Sequence, residues 1–455
     1  MMPAGFLPFV NEAPLCVMTR LTLERLFLPE RLDALFTEVA ERQYQKEVLF
    51  SQVVELMMAV VLRVDSSVHA AYRKRREALS VSDQAIYDKL QCMELGVSAA
   101  LVADSAMQAG AAIDAMEARL PSWLPGFRIR VLDGNLLSKT QRRVKELRET
   151  WAAGLPGRAL AVYDQQQDLV TDVFLNPDAY DNERVMLDDV LQSVRVGDLW
   201  IADRNFCTLK FLFGIEAAQA RFVIRQHGSL VGRLLGARKY RGRTDTGRVY
   251  EQELELCHGG RTNVVRRVTL VLDQSTRDGD TEIHVLSNLR PKEATAVQIA
   301  ELYRRRWSIE GRFYELAQTL NGEPNNLGYP KAALFAFCLA LVASNAMALI
   351  RASLRQVHGN EAVEEMSRYY IANEVRETYV GMMVALPPSK WVKFQRLSVA
   401  ELAELLCEIA THVRPDRYRK ARRGPKRPPT PKDQYKNGGH VSTQRLIEQR
   451  RKPPP

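Results

Sequence analysis

Between Phe127 and Arg225 the chain alternates short apolar runs with helical stretches in an order that few folds accommodate. Phe127-Arg-Ile-Arg-Val-Leu-Asp133 has the two-residue period of a strand with one buried face, and Asp133-Gly134-Asn135 has the composition of a turn that ends it. Ala159 to Asp164 and Leu169 to Leu175 read as two further strands joined through Asp164-Gln-Gln-Gln-Asp168. A helix over 181–194, the strand Leu199-Trp-Ile-Ala-Asp203, a helix over 207–220 and the strand Arg221 to Arg225 complete the order β-β-β-α-β-α-β. Antiparallel neighbours need only a turn between them, whereas parallel neighbours need a helical crossover, so this order predicts a mixed sheet with helices on its faces. Asp133 and Asp203 each end a strand in this reading, and strand ends are where α/β sheets build their sites.

The flanks are mainly helical. Leu23, Phe27, Leu32, Leu35, Phe36, Val39, Val48, Val53, Leu56 and Val60 recur at helical spacing, with Pro29 interrupting. Ser80-Val-Ser-Asp83 has the form of a helix start, and helical character runs to about Leu120, where Pro121 and Pro125 stop it. Arg73, Lys74, Arg75 and Arg76 form a basic cluster that suits either DNA binding or a solvated linker. Residues 228–290 return to β-type alternation over Val249 to Leu256, Val265 to Asp273 and Glu282 to Leu289, with Asp278-Gly279-Asp280 as a hairpin signal. That β-rich insertion opens with Arg233, Arg238, Lys239, Arg241, Arg243 and Arg248 beside Tyr240 and Tyr250, a composition for a nucleic-acid surface or for a strand edge protected from aggregation. From Lys292 the chain is helical to about Ile409. The expected units are therefore 1–124, a helical N-terminal region and candidate DNA-binding element; 125–227, the first part of the sheet; 228–290, the insertion; 291–410, helices; and 411–455, a tail.

Charge matters chiefly at that tail. Residues 411–455 hold 14 Lys/Arg against Asp416, Asp433 and Glu448, or +11, which leaves the other residues at −1 of the +10 total. The tail is also proline-rich and poor in apolar residues, a composition expected to stay disordered until it meets a polyanion. Cys16, Cys92, Cys207, Cys257, Cys338 and Cys407 are scattered without a Cys-x-x-Cys pair, which indicates neither a zinc knuckle nor a disulfide framework. The N-terminus lacks a basic stretch leading into an apolar core, so a cytoplasmic location is expected. Ala332 to Ile350 is free of charge for 19 residues, but it contains Ser344 and Asn345 and follows a polar stretch. It reads as a buried core helix, with a membrane span as the alternative.

One further stretch gathers the chemistry. At 3.6 residues per turn, Tyr303, Arg306, Trp307, Glu310, Tyr314 and Ala317 share one side of a helix. Glu310 can then point inward with Arg306 and Tyr303 one and two turns away, a face able to grip phosphate beside an acid; a structural Arg/Glu pair would need the same spacing. With Asp133 and Asp203, Glu310 makes three carboxylates. Hard divalent ions take oxygen ligands, and two ions about 3.5 to 4 Å apart can serve the attacking and leaving oxygens of an in-line phosphoryl transfer.

In these motifs the chain resembles the DDE transposases of bacterial insertion elements, specifically the insertion sequence 4 family with its ribonuclease-H-like catalytic core. Val131-Leu-Asp133-Gly134 looks like the first aspartate motif, Ala202-Asp203-Arg204-Asn205-Phe206 like the second, and Tyr303-x2-Arg306-x3-Glu310 like most of the Tyr/Arg/Glu/Lys signature. A β-strand insertion between the second aspartate and the glutamate is a feature of that family too. The likeness covers residues 125–350 well and the flanks only in character. It implies an α/β, ribonuclease-H-like mixed sheet with a β-rich insertion and helical N-terminal and C-terminal regions. It implies cleavage at transposon ends and strand transfer into target DNA, with Asp133, Asp203 and Glu310 holding two Mg²⁺ ions, or Mn²⁺ in their place. Tyr303 and Arg306 would contact phosphates near the transposon end, and Arg305, Arg241 and Arg243 are further DNA-binding candidates. The implied partners are double-stranded DNA and a second copy of the chain, with no membrane and a place at the bacterial nucleoid. The chain departs from the pattern at Ala317, where the signature has Lys, and at Asn205, where Gly is usual. It also has no tryptophan within 228–290, where some relatives carry one for base stacking during hairpin formation. Two alternatives share these features: a ribonuclease-H-like nuclease that cuts without joining, and a transposase-derived DNA-binding protein that has lost its chemistry.

Overall fold

The computed structural model of the 455-residue chain describes residues 2–43, 47–77, 79–137, 156–276, 279–306, 320–324, 327 and 329–421. The chain divides into two units, Met1–Tyr418 and Arg419–Pro455, and the fold described below is that of the first.

Nine strands form one sheet: β1 Arg128–Leu137, β2 Gly157–Asp164, β3 Leu169–Asn176, β4 Asp198–Ala202, β5 Arg221–Arg225, β6 Arg233–Thr244, β7 Gly247–His258, β8 Arg261–Leu272 and β9 Glu282–Ser287. Their order is β3-β2-β1-β4-β5-β9-β8-β7-β6. β2 is antiparallel to both β1 and β3, while β4 runs parallel to β1 and β5 parallel to β4. This mixed 3-2-1-4-5 half is ribonuclease-H-like, and it follows from the chain order of hairpin-linked strands and then helix-linked ones.

Alternation along the strands assigns the two faces. Leu132, Leu160, Val162, Trp200, Ala202, Phe222 and Ile224 pack under the helices Leu187–Ser193 and Leu209–Ala217. Ile129, Val131, Leu199, Ile201 and Val223 pack on the other face with Ile299, Leu302 and Tyr303 of the helix Ala296–Arg305. Thr295 caps that helix in a capping box with Gln298, which fixes where it starts, a few residues later than the sequence suggested.

The insertion extends the sheet. β9 pairs with β5 (Val223↔Ser287), and β8, β7 and β6 follow outward. The basic opening of the insertion, not assigned as a strand from the sequence, is β6, whose ladder is interrupted by bulges where Gly236 (φ 66) and Gly242 (φ 128) adopt the left-handed region.

β3, at the opposite edge, is covered by the helices Leu95–Ala115 and Pro330–His358. These two are the described helices long and apolar enough to cross a membrane, and 89% of the apolar window of the second is buried within the protein. Its side chains from Ala332 to Ala343 enter a core shared with the N-terminal helices and with Ala159, Ala161, Val170 and Val173 of the sheet, which is why the sequence shows no polar stripe there. Asn345 takes the place of a missing strand: its Oδ1 accepts from the Val170 N–H at 2.9 Å and its amide donates to the Val170 carbonyl at 2.9 Å and to Ser105 Oγ at 3.1 Å.

The expected interruption at Pro29 is present, since one helix ends at Leu26 and Pro29 occupies the first turn of the next, Pro29–Val39, where its missing N–H costs no bond. Other sequence expectations change. The helix expected to reach Leu120 ends at Ala115. Asp133 does not end its strand, since β1 continues to Leu137 on β2 and only its parallel pairing to β4 stops, at Leu132↔Ala202. The six cysteines are free.

Candidate functional site

Asp133 and Asp203 stand one residue past the last parallel pair of two neighbouring strands. Asp133 follows the alternation of Ile129 and Val131, and Asp203 that of Leu199 and Ile201, so both belong to the face covered by the helix Ala296–Arg305. That helix delivers two donors at its C-terminal end. The Tyr303 hydroxyl donates to Asp203 Oδ1 at 3.0 Å, and Arg306 Nη1 to Asp133 Oδ2 at 3.3 Å. Residues 100 and 173 positions apart in sequence thus meet, because β4 lies beside β1 and the helix crosses above them.

Burial sharpens the electrostatics. Asp133 is 9% exposed and Arg306 is 3% exposed. Burial, and then the charge of Asp203, pushes the Tyr303 hydroxyl well above its usual range, so it remains a donor. Arg225, at the end of β5, donates to Asp280 at 2.6 Å. Burial opposes its charge, but Asp280, Tyr303 and Asp203 together hold the guanidinium above its ordinary value. The place is one where carboxylates are matched by cations and hydroxyls, and where a divalent ion would meet hard oxygen donors.

The other candidates fall elsewhere. Arg305 is exposed, with its guanidinium over the Trp123 ring at 5.9 Å. Arg241 and Arg243 lie on β6, exposed and ion-paired with Glu251 at 2.7 Å and Asp273 at 2.6 Å. Arg233 and Arg238 on the same strand pair with Glu255 and Glu282. In the N-terminal cluster Lys74 and Arg75 pair with the buried Asp65. Glu310, Trp307, Tyr314 and Ala317 lie outside the described residues, as does the tail from 422 onward. Among the described residues no group of three or more His, Cys, Asp or Glu could hold a metal ion.

One neighbouring carboxylate escaped the sequence reading. Glu183 opens the short 3-10 turn Glu183–Met186, and its Oε2 accepts from Asn205 Nδ2 at 2.6 Å. A Cβ added to Gly134 would sit 2.4 Å from Glu183 Oε1. The signal available beforehand was the replacement of glycine by Asn205, a side chain that asks for a partner.

The family model described as the transposase DDE domain matches residues 112–346. No curated protein sequence matches the chain. Among solved structures, the chain is similar to one described as a cryo-EM structure of the piggyBac transposase synaptic complex with hairpin DNA, at 10% identity and a TM-score of 0.42, over 88% of this chain and 86% of that one.

Proposed function

The chain belongs to the transposase DDE domain family, and from that premise we propose that it cleaves DNA strands at the ends of a bacterial mobile element of the insertion sequence 4 type and joins them to target DNA. The observation that carries this reading is the placement of Asp133 and Asp203 one residue past the last parallel pair of two adjacent strands, each held by a donor from one helix. In this reading Asp133, Asp203 and Glu310 hold two Mg²⁺ ions, with Mn²⁺ as substitute. Two carboxylates on one sheet face are a donor set suited to such ions. When bound, the ions supply Lewis-acid stabilisation and lower the pKa of the attacking hydroxyl.

The protein's own residues do the placing. Arg306 and Tyr303 orient the carboxylates in the free protein, and both would be donors for phosphate oxygens were those carboxylates to hold metal, the role expected of them from the sequence. Duplex DNA is the partner, and two element ends require at least two copies of the chain. Exposed Arg305, and Arg241 and Arg243 on β6, remain candidates for backbone contact once their present partners yield.

The test uses duplexes carrying the element's own ends with Mg²⁺ or Mn²⁺. Wild type should nick at the ends and join freed 3′-hydroxyls to a plasmid, whereas Asp133→Asn, Asp203→Asn and Glu310→Gln should bind the ends but nick at background level. Nicking without joining would favour the nuclease reading, and a wild type that binds its ends but never nicks would favour the DNA-binding one. An active Asp203→Asn protein would remove the assignment of the pair.

A further inference from the structure

We propose that Glu183 is a positioning residue that sets the spacing of Asp133 and Asp203 by bridging the backbone segments that carry them; the proposal rests on reading that pair as the metal-holding one. The need for such a bridge is visible in the sheet. Parallel hydrogen bonding between β1 and β4 stops at Leu132↔Ala202, so the ladder no longer ties the two chains together where the aspartates sit. Glu183 spans that gap from the opposite face of the sheet.

Each of its oxygens addresses one segment. Oε2 accepts from Asn205 Nδ2 at 2.6 Å, two residues after Asp203, and the neighbouring Arg184 Nε donates to the Asn205 carbonyl at 2.7 Å. Oε1 lies over Gly134, directly after Asp133, and 3.5 Å from Arg158 Nη1 on β2. Gly134 is not among the residues with positive φ, so what it provides is room for the carboxylate and not an unusual backbone shape. Asn182 fixes the turn that presents Glu183, its Oδ1 accepting from the Arg184 N–H at 3.0 Å.

Gly134 shares the face of Leu132 by alternation, whereas Asp133 shares that of Val131. Glu183 is therefore beneath the site and acts through the backbone. A glycine at 205, as in the resembled pattern, has no side-chain donor for Glu183, which gives Asn205 a physical reason.

The experiment measures Mn²⁺ affinity of the full chain by electron paramagnetic resonance, alongside the Mg²⁺ concentration that half-saturates end nicking. Glu183→Ala, Gly134→Ala and Asn205→Gly should each weaken Mn²⁺ binding, Glu183→Ala by about tenfold, the lower end for lost supporting contacts around a metal site. Glu183→Gln keeps an acceptor for Asn205 and should recover most of that loss. Thermal melting identifies any variant that fails to fold, and three separate positions keep the proposal exposed if one does. Equal loss in Glu183→Gln and Glu183→Ala would show that the hydrogen bond from Asn205 does not hold the two segments and overturn the bridging role. Lower melting temperature with unchanged Mn²⁺ affinity would make Glu183 merely structural. If Asp133→Asn and Asp203→Asn weaken Mn²⁺ binding while Glu183→Ala does not, this proposal alone fails; if neither aspartate variant weakens it, the metal reading fails.

Discussion

At Asp133 and Arg306 a single contact decides two properties. The pair is buried, and removing one partner of a buried pair costs several kcal/mol because the other charge stays out of water. Arg306→Ala should therefore lower the stability of the metal-free protein by about 3–5 kcal/mol. If Asp133 holds a divalent ion as proposed, the ion would replace the missing positive charge, so Mg²⁺ should raise the melting temperature of the variant more than that of wild type. Urea melts with and without Mg²⁺ check this, and equal shifts in both proteins would show that no ion reaches Asp133. The spacing of Tyr303 and Arg306 was legible in the sequence as a shared helix face. Their partners were not, because helical periodicity fixes direction but says nothing of which strand end lies opposite. Sequence reading supplied phosphate as the acceptor; the structure supplies the two aspartates.

Elements were legible where their pattern is local and illegible where a distant partner decides. β5 spans the residues expected of it, Arg221–Arg225, while β6 was missed because a two-sided exposed strand carries no apolar alternation. β3 shows the same dependence from the other side. Asn345→Leu fills the space but leaves the Val170 N–H and carbonyl without the partners they have now, at about 1–3 kcal/mol for each buried group. A loss of about 2–4 kcal/mol with an unchanged denaturant slope is expected; a loss below about 1 kcal/mol would mean that β3 finds other acceptors. On β9, His284 is pushed down to about 4 by burial first and then by the charge of Arg267, partly opposed by Glu282, with smaller contributions from Arg238 and Arg225. Its neutral form is thus favoured in the folded state, so the unfolded chain binds the extra proton between pH 6.5 and 4, and stability falls as pH drops through that window. His284→Gln should flatten the pH profile there relative to wild type, and parallel profiles would show that His284 is not responsible.

For the whole molecule, the sequence disclosed the succession of elements but not that one helix packs against so many of them. The central helix Pro330–His358 touches the N-terminal helices, the covering helix Leu95–Ala115 and β3, contacts between segments hundreds of residues apart that no local pattern encodes. The same holds at the C-terminal boundary. A tail beginning at 411 looked natural from composition, yet Val413 and Tyr418 are buried, the Ser367 N–H donates to the Tyr418 carbonyl at 2.6 Å, and the Tyr418 hydroxyl meets Glu374. A truncation at 411 would therefore damage the fold and confuse instability with lost binding. The informative cut is after Ala421. Residues 422–455 still hold ten Lys/Arg against Asp433 and Glu448, +8 of the +10 total, so most of the net charge leaves with them. If those cations meet phosphates, they release counterions, and the slope of log affinity against log salt should become shallower by several units, up to about seven if every net charge makes a contact. The loss should be the same for end-containing and random duplexes, because phosphate contacts carry no base information. Melting temperature and Mg²⁺ dependence of nicking should stay at wild-type values. An unchanged salt slope would take the tail out of the DNA interface, and a loss confined to end-containing DNA would mean that the tail reads sequence and not charge.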